Sequence, residues 1–78
     1  MTAKGMFKKL GYIKEPIENE RFISYRKPKG DSFSYIQFDS KDKTYQCYYF
    51  DSRGIQPQII GIKETLAIQK QIDELGWI

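Results

Sequence analysis

The sequence predicts an α+β domain: a four-stranded antiparallel meander, a C-terminal helix packed on one face of it, and a short N-terminal helix. Three observations carry this. Apolar residues recur at helical spacing near both ends of the chain. Between them lie runs rich in aromatic and β-branched residues. The links joining those runs are short and polar, too short for a parallel crossover, so neighbouring runs must pair antiparallel.

The elements follow in order. Met6, Phe7 and Leu10 share one side of a short helix, and Gly11 stops it. Tyr12 and Ile13 begin an extended stretch that Pro16 interrupts. Strands are expected over Arg21–Lys27, Phe33–Asp39 and Thr44–Asp51. Lys27-Pro28-Lys29-Gly30 suits a type I turn, with proline presetting φ at the second position. Asp39-Ser40-Lys41-Asp42-Lys43 is a second polar turn, and Asp51-Ser52-Arg53-Gly54 is a third. A fourth strand, Ile55 to Ile60, contains Pro57, which cannot donate to a ladder and therefore belongs at an edge. The last helix runs from Lys63 to Leu75. Ile68, Ile72 and Leu75 form its buried stripe, and Leu66 packs at its start. Gly76 supplies a left-handed cap, with Trp77 folding back onto Ile72.

Size and composition bound the function. All 78 residues form one domain, residues 1–78. A chain this short buries only about 60–65% of its unfolded surface. Its single cysteine, Cys47, forms no internal disulfide, and there is no histidine. The usual zinc patterns need several such ligands, so no metal and no cofactor is expected. Apolar packing must then stabilise the fold, helped by a partner or a second copy. No apolar run approaches the ~20 residues that span a bilayer, and Met1 to Leu10 holds no secretory signal. No membrane partner and a cytoplasmic location are the expectation, consistent with a lone thiol.

Charge is uneven. Residues 1–30 hold Lys4, Lys8, Lys9, Lys14, Arg21, Arg26, Lys27 and Lys29 against Glu15, Glu18 and Glu20, a balance of +5. The remainder carries −2, giving the net +3. Such asymmetry suits either an anionic partner or an ordinary solvated surface.

Catalysis is not expected. No histidine is present to move protons at neutral pH, and Cys47 falls mid-strand on the predicted core face, the place of a small buried hydrophobe. Asp31, Asp39, Asp42 and Asp51 sit beside turns, where carboxylates accept backbone N–H groups. Gly54, Gly61 and Gly76 are isolated and form no phosphate loop.

Six tyrosines, five phenylalanines and one tryptophan are more aromatic surface than a small core hides. If Lys27 pairs with Asp31, Asp39 with Thr44 and Asp51 with Ile55, the side chains sort into two sets. One carries Phe22, Ser24, Ser34, Ile36, Phe38, Tyr45, Cys47, Tyr49, Ile55 and Ile59, and suits the C-terminal helix. The other carries Ile23, Tyr25, Phe33, Tyr35, Gln37, Gln46, Tyr48, Phe50, Gln56 and Gln58. This second face is open unless the N-terminal helix folds over it through Phe7 and Leu10. A slip of one residue would exchange the faces. Exposed apolar faces mark interaction sites. The partner-binding residues expected here are Tyr25, Phe33, Tyr35 and Tyr48 as aromatic anchors, with Arg21, Arg26 and Arg53 as charged contacts.

The stretches Met6-Phe7-Lys8-Lys9-Leu10-Gly11-Tyr12 and Lys63-Glu64-Thr65-Leu66-Ala67-Ile68-Gln69-Lys70-Gln71-Ile72-Asp73-Glu74-Leu75-Gly76-Trp77 resemble small uncharacterised proteins of phages and prophages of Gram-positive bacteria. The resemblance covers both ends of the chain and brings no catalytic residues. It implies a non-catalytic protein that occupies a host protein, such as a factor of an antiviral system, and inhibits it. Two alternatives use the same face. One is a single-stranded nucleic-acid binder, with Tyr25, Phe33, Tyr35 and Tyr48 beside Arg26, Lys27 and Lys29. The other is a homodimer that buries the face against its own copy.

Overall fold

The computed structural model describes residues 1–16 and 19–77, so Glu18, counted in the basic half above, lies outside the described residues. The element order is α1 (Ala3–Lys9), β1 (Ile13–Lys14), β2 (Phe22–Lys29), β3 (Ser32–Asp39), β4 (Thr44–Asp51), β5 (Gly54–Pro57) and α2 (Ile62–Leu75). The fold is α+β, and the strands form one antiparallel sheet in the order β1-β2-β3-β4-β5. The meander has five strands rather than four. The added one is the extended stretch after Gly11, where Ile13 pairs with Arg26 and Lys14 with Tyr25.

Register decides which side chains share a face. β3 and β4 pair as their sequence suggests, Asp39 opposite Thr44. In the turn between them, Asp39 Oδ1 accepts the Lys41 N–H at 3.0 Å. The two outer hairpins depart from expectation. Lys29 pairs with Ser32, so the β2–β3 turn is Gly30-Asp31 and Pro28 lies inside β2. Gly30 has φ +58° while Asp31 does not have positive φ, the signs of a two-residue II′ hairpin with glycine first. Pro28 is tolerated because β1 does not extend along β2 as far as Pro28. At the other end Asp51 pairs with Gly54 rather than Ile55. Gly54 there has φ +104°, a backbone that a residue with Cβ resists.

Both shifts reverse the expected facing. Ile23, Tyr25 and Lys27 join Ser34, Ile36, Phe38, Tyr45, Cys47, Tyr49 and Gln56 on one side. Phe22, Arg26, Pro28, Phe33, Tyr35, Gln37, Gln46, Tyr48, Phe50, Ile55 and Pro57 take the other. Phe22, Ser24 and Ile55 are thus not on the core face, and Ile59 is 93% exposed.

Both helices lie on the first face. α1 and α2 touch each other, and the core is Ala3, Phe7, Tyr12, Tyr25, Ile36, Phe38, Ala67 and Ile68. Phe7 is fully buried and stacks on Tyr25 with ring centroids 4.1 Å apart. The N-terminal helix therefore uses Phe7 as an anchor, but on the same side as α2. Thr2 caps α1 by accepting the Gly5 N–H, and the Glu74 carboxylate on α2 accepts the Ala3 N–H at 2.7 Å.

On α2, Ala67, Ile68 and Gln71 are buried, while Ile72 and Leu75 are half-buried. Gly76 ends the helix at φ +70°, and the Trp77 N–H reaches the Ile72 carbonyl. The Trp77 ring meets the Phe38 ring edge-on at 6.2 Å. Leu66 does not pack inward. It is 55% exposed and lines a shallow outer groove with Met1, Met6 and Leu10. Helical geometry explains this, because Leu66 falls off the arc of Ala67, Ile68 and Gln71. Among the described residues no helix is long and apolar enough to cross a membrane.

Candidate functional site: an aromatic sheet face

With both helices on one side, strand alternation delivers a row of rings to the other. Tyr35 on β3 and Tyr48 on β4 are directly opposed partners. Their rings stack at 5.3 Å, nearly parallel. Phe50 stands edge-on to both, at 5.8 and 5.7 Å, and Phe33 lies 6.4 Å from Tyr35. Aromatic pairs in these arrangements contribute about 0.5–1.5 kcal/mol beyond their area, so the cluster is ordered before any partner arrives. Phe33 and Phe50 remain 36% and 41% exposed. Ile55 and Ile13 extend the apolar surface at its two sides, and the Gln46 amide donates to Gln37 Oε1 at 3.0 Å along its fringe.

Burial pushes the Tyr48 phenol up, with smaller contributions from Tyr35 and Glu15. The Tyr48 hydroxyl therefore stays protonated at neutral pH and acts as a neutral donor and acceptor.

The seven expected contact residues separate on this surface. Phe33, Tyr35 and Tyr48 come together with Arg26, whose guanidinium lies over the Phe33 ring at 5.0 Å. Tyr25 does not join them. It is 1% exposed, lies in the core beneath both helices, and donates its hydroxyl hydrogen to Gln71 Oε1. The two-residue turn at Gly30-Asp31 is the cause: it puts Lys27 opposite Ser34 instead of Asp31, a shift of three positions whose odd number reverses the facing of β2. Arg21 is held by its own chain: its guanidinium grips Asp39 through two bonds of 3.0 and 2.9 Å. This keeps the Asp39 carboxyl down at about 2. Arg53 folds back onto Asp51 at 2.7 Å within the β4–β5 turn. Arg26 makes no ion pair among the described residues, and of the three arginines it alone contributes a cation to the aromatic cluster.

Phe50, Ile13, Ile55 and Pro57 were not among the expected anchors. Phe50 was already on the open face by alternation and lacked only selection as an anchor. Ile55 and Pro57 arrive there through the Asp51–Gly54 pairing, which the left-handed preference of Gly54 signals in the sequence.

Elsewhere, Cys47 is half-buried against the core, and burial raises its thiol. That is opposite to the depression a nucleophilic cysteine needs. Among the described residues no three Cys, Asp or Glu side chains gather where they would hold a metal ion. Asp39 and Asp51 accept turn N–H groups; Asp42 instead approaches Arg21 at 3.7 Å. In comparison with known proteins, no family model, no curated protein and no solved structure matches the chain.

Proposed function

We propose that this chain is a non-catalytic protein-interaction module whose binding surface is the aromatic sheet face. The reading rests on one observation: Phe33, Tyr35, Tyr48 and Phe50 form a continuous ring cluster on the side of the sheet opposite both helices. Large exposed apolar clusters with polar tips are the usual form of protein-binding hot spots. Tyr35 and Tyr48 would anchor the partner, with Arg26 as the charged contact. The resemblance of the chain's ends to phage proteins suggests a host protein as partner, and inhibition of that protein as the consequence.

The ring geometry favours a protein over single-stranded nucleic acid. Base stacking needs free ring faces and cations along the backbone path. Here Tyr35 and Tyr48 stack on each other, and the Arg26 guanidinium covers a Phe33 face. Lys27 and Lys29, expected as phosphate contacts, point to the helix side, where their ammonium groups lie over Tyr12 and Tyr49.

Affinity capture from a Gram-positive host lysate, comparing the wild type with Tyr35→Ala/Tyr48→Ala, tests the proposal. The expected result is a partner retained by the wild type and lost by the double variant. Retention of every partner by the variant would remove this face from consideration. Fluorescence anisotropy with a single-stranded oligonucleotide checks the other ligand class: steeply salt-dependent affinity that Tyr35→Ala/Tyr48→Ala abolishes would replace the protein-binding reading.

A further inference from the structure

Apart from Arg26, the basic residues of the first half of the chain are not used by the aromatic face. Folding gathers much of it around the α1–β1 corner. Lys4, Lys8, Tyr12, Ile13 and Lys14 line a hollow of about 260 Å³ there. Lys27 reaches the same corner from β2. Its alkyl stem lies against Gly11, where a Cβ would meet its Cε at 3.4 Å, and its ammonium stands 5.4 Å over the Tyr12 ring. Among the described residues no carboxylate lines the hollow. No lysine forms an ion pair among the described residues.

Two features make this more than a solvated surface. Lys4 and Lys8 stand four residues apart on one side of a seven-residue helix whose first turn carries no acid. Like charges at that spacing destabilise a short helix, and an anion between them would relieve the repulsion. Tyr12, which also lines the hollow, is 1% exposed, so the corner offers charge without an open aromatic face. The cations are all lysines. Ammonium groups act as point charges suited to phosphate oxygens, whereas planar carboxylates favour the arginine fork.

We propose that the α1–β1 corner binds a polyphosphate anion, either inorganic or the oligophosphate of a nucleotide, through Lys4, Lys8, Lys14 and Lys27. The site meets the edge of the aromatic face at Ile13, but its lysines do not depend on the ring cluster.

The test is calorimetric and NMR titration of the full chain at low salt with pyrophosphate and tripolyphosphate. The same titration is run on Lys4→Gln/Lys8→Gln and on a control, Lys41→Gln/Lys43→Gln, in the β3–β4 turn. Expected are amide shifts centred on residues 4–14 and 27, an affinity loss of about tenfold or more in the first variant, and little change in the control. Removing the repulsion should also leave the first variant melting at or above the wild-type temperature, which separates lost binding from lost folding. A nucleoside triphosphate should bind like tripolyphosphate, and the nucleoside alone should not bind. Equal losses in both variants, shifts spread over all lysines, or no saturable binding would overturn the assignment.

Discussion

The Tyr25 hydroxyl donates to Gln71 Oε1 at 2.6 Å, joining the middle of β2 to α2 inside the core. Tyr25 is 1% exposed and Gln71 6%, so each polar group depends on the other for its partner. Tyr25→Phe removes the donor and strands the amide oxygen. The expected cost is about 1–3 kcal/mol in urea denaturation. Gln71→Leu in the Tyr25→Phe background should recover much of it, since replacing both partners by apolar groups is far less costly. Neither change should weaken binding through the aromatic face.

Phe7 is the contact that secures α1. Its ring is fully buried, stacked on Tyr25 and edge-on to Tyr12 and Phe38. Phe7→Ala should cost about 3–5 kcal/mol. A domain of this length has roughly 4–12 kcal/mol in total. Circular dichroism at 37 °C should therefore show a largely unfolded or severely destabilised variant.

Tyr12 presents the opposite case. Its hydroxyl is buried without a hydrogen-bond partner among the described residues. Burial, followed by the Glu64 and Cys47 charges, pushes its pKa up to about 12. Tyr12→Phe deletes the stranded group and keeps the ring. Stability should stay level or rise by up to about 1 kcal/mol, read as a higher denaturation midpoint. A clear loss would mean that the hydroxyl has a partner.

Stability should fall at both pH extremes, for different reasons. The Arg21 hydrogen bonds hold Asp39 at about 2, below its ordinary 3.8, and Arg53 likewise lowers Asp51. Lowered folded values mean that the unfolded chain takes up protons first. Their contribution is complete above about pH 4–5 and disappears as the pH falls toward 2. Tyr12 and Tyr25, both raised to about 12 from 10.0, work the other way. The folded chain retains their protons longer, so stability declines as the pH rises from 10 to 12. Melting temperature against pH should show a plateau with these two shoulders. Asp39→Asn should flatten the acid one, and absorbance at 295 nm should show Tyr12, Tyr25 and Tyr48 ionising late.

The sequence revealed most of the architecture, and its errors of strand facing trace to two turns. Helix spacing, the Gly76 cap and the paired centre of β3 and β4 were legible because each depends on contacts close in the chain. Asp39 marks its turn by accepting local N–H groups. The outer hairpins were misread because two competing signals sat side by side. Pro28 suits a turn's second position, but Gly30 with positive φ decided it. At the other end, Gly54 belonged to the ladder rather than to the turn's closing position. The first slip is three residues and the second is one, and because both are odd each reverses a strand's facing. That is why Tyr25, read as a wet anchor, is a core residue, while Phe33, Tyr35 and Tyr48 stand where alternation put them. The fifth strand was missed because two residues, Ile13 and Lys14, are too few to show a period.

Pro57 closes β5 with an imide that has no hydrogen to give, and β1 at the opposite margin is two residues long. Neither flank can template another chain's backbone over any distance. Growth sideways into ribbons or fibrils is thereby discouraged, even though sticky rings are on display. Whatever docks is recognised by its contours rather than by being threaded alongside, and crowding such molecules together should not zip them into a longer sheet.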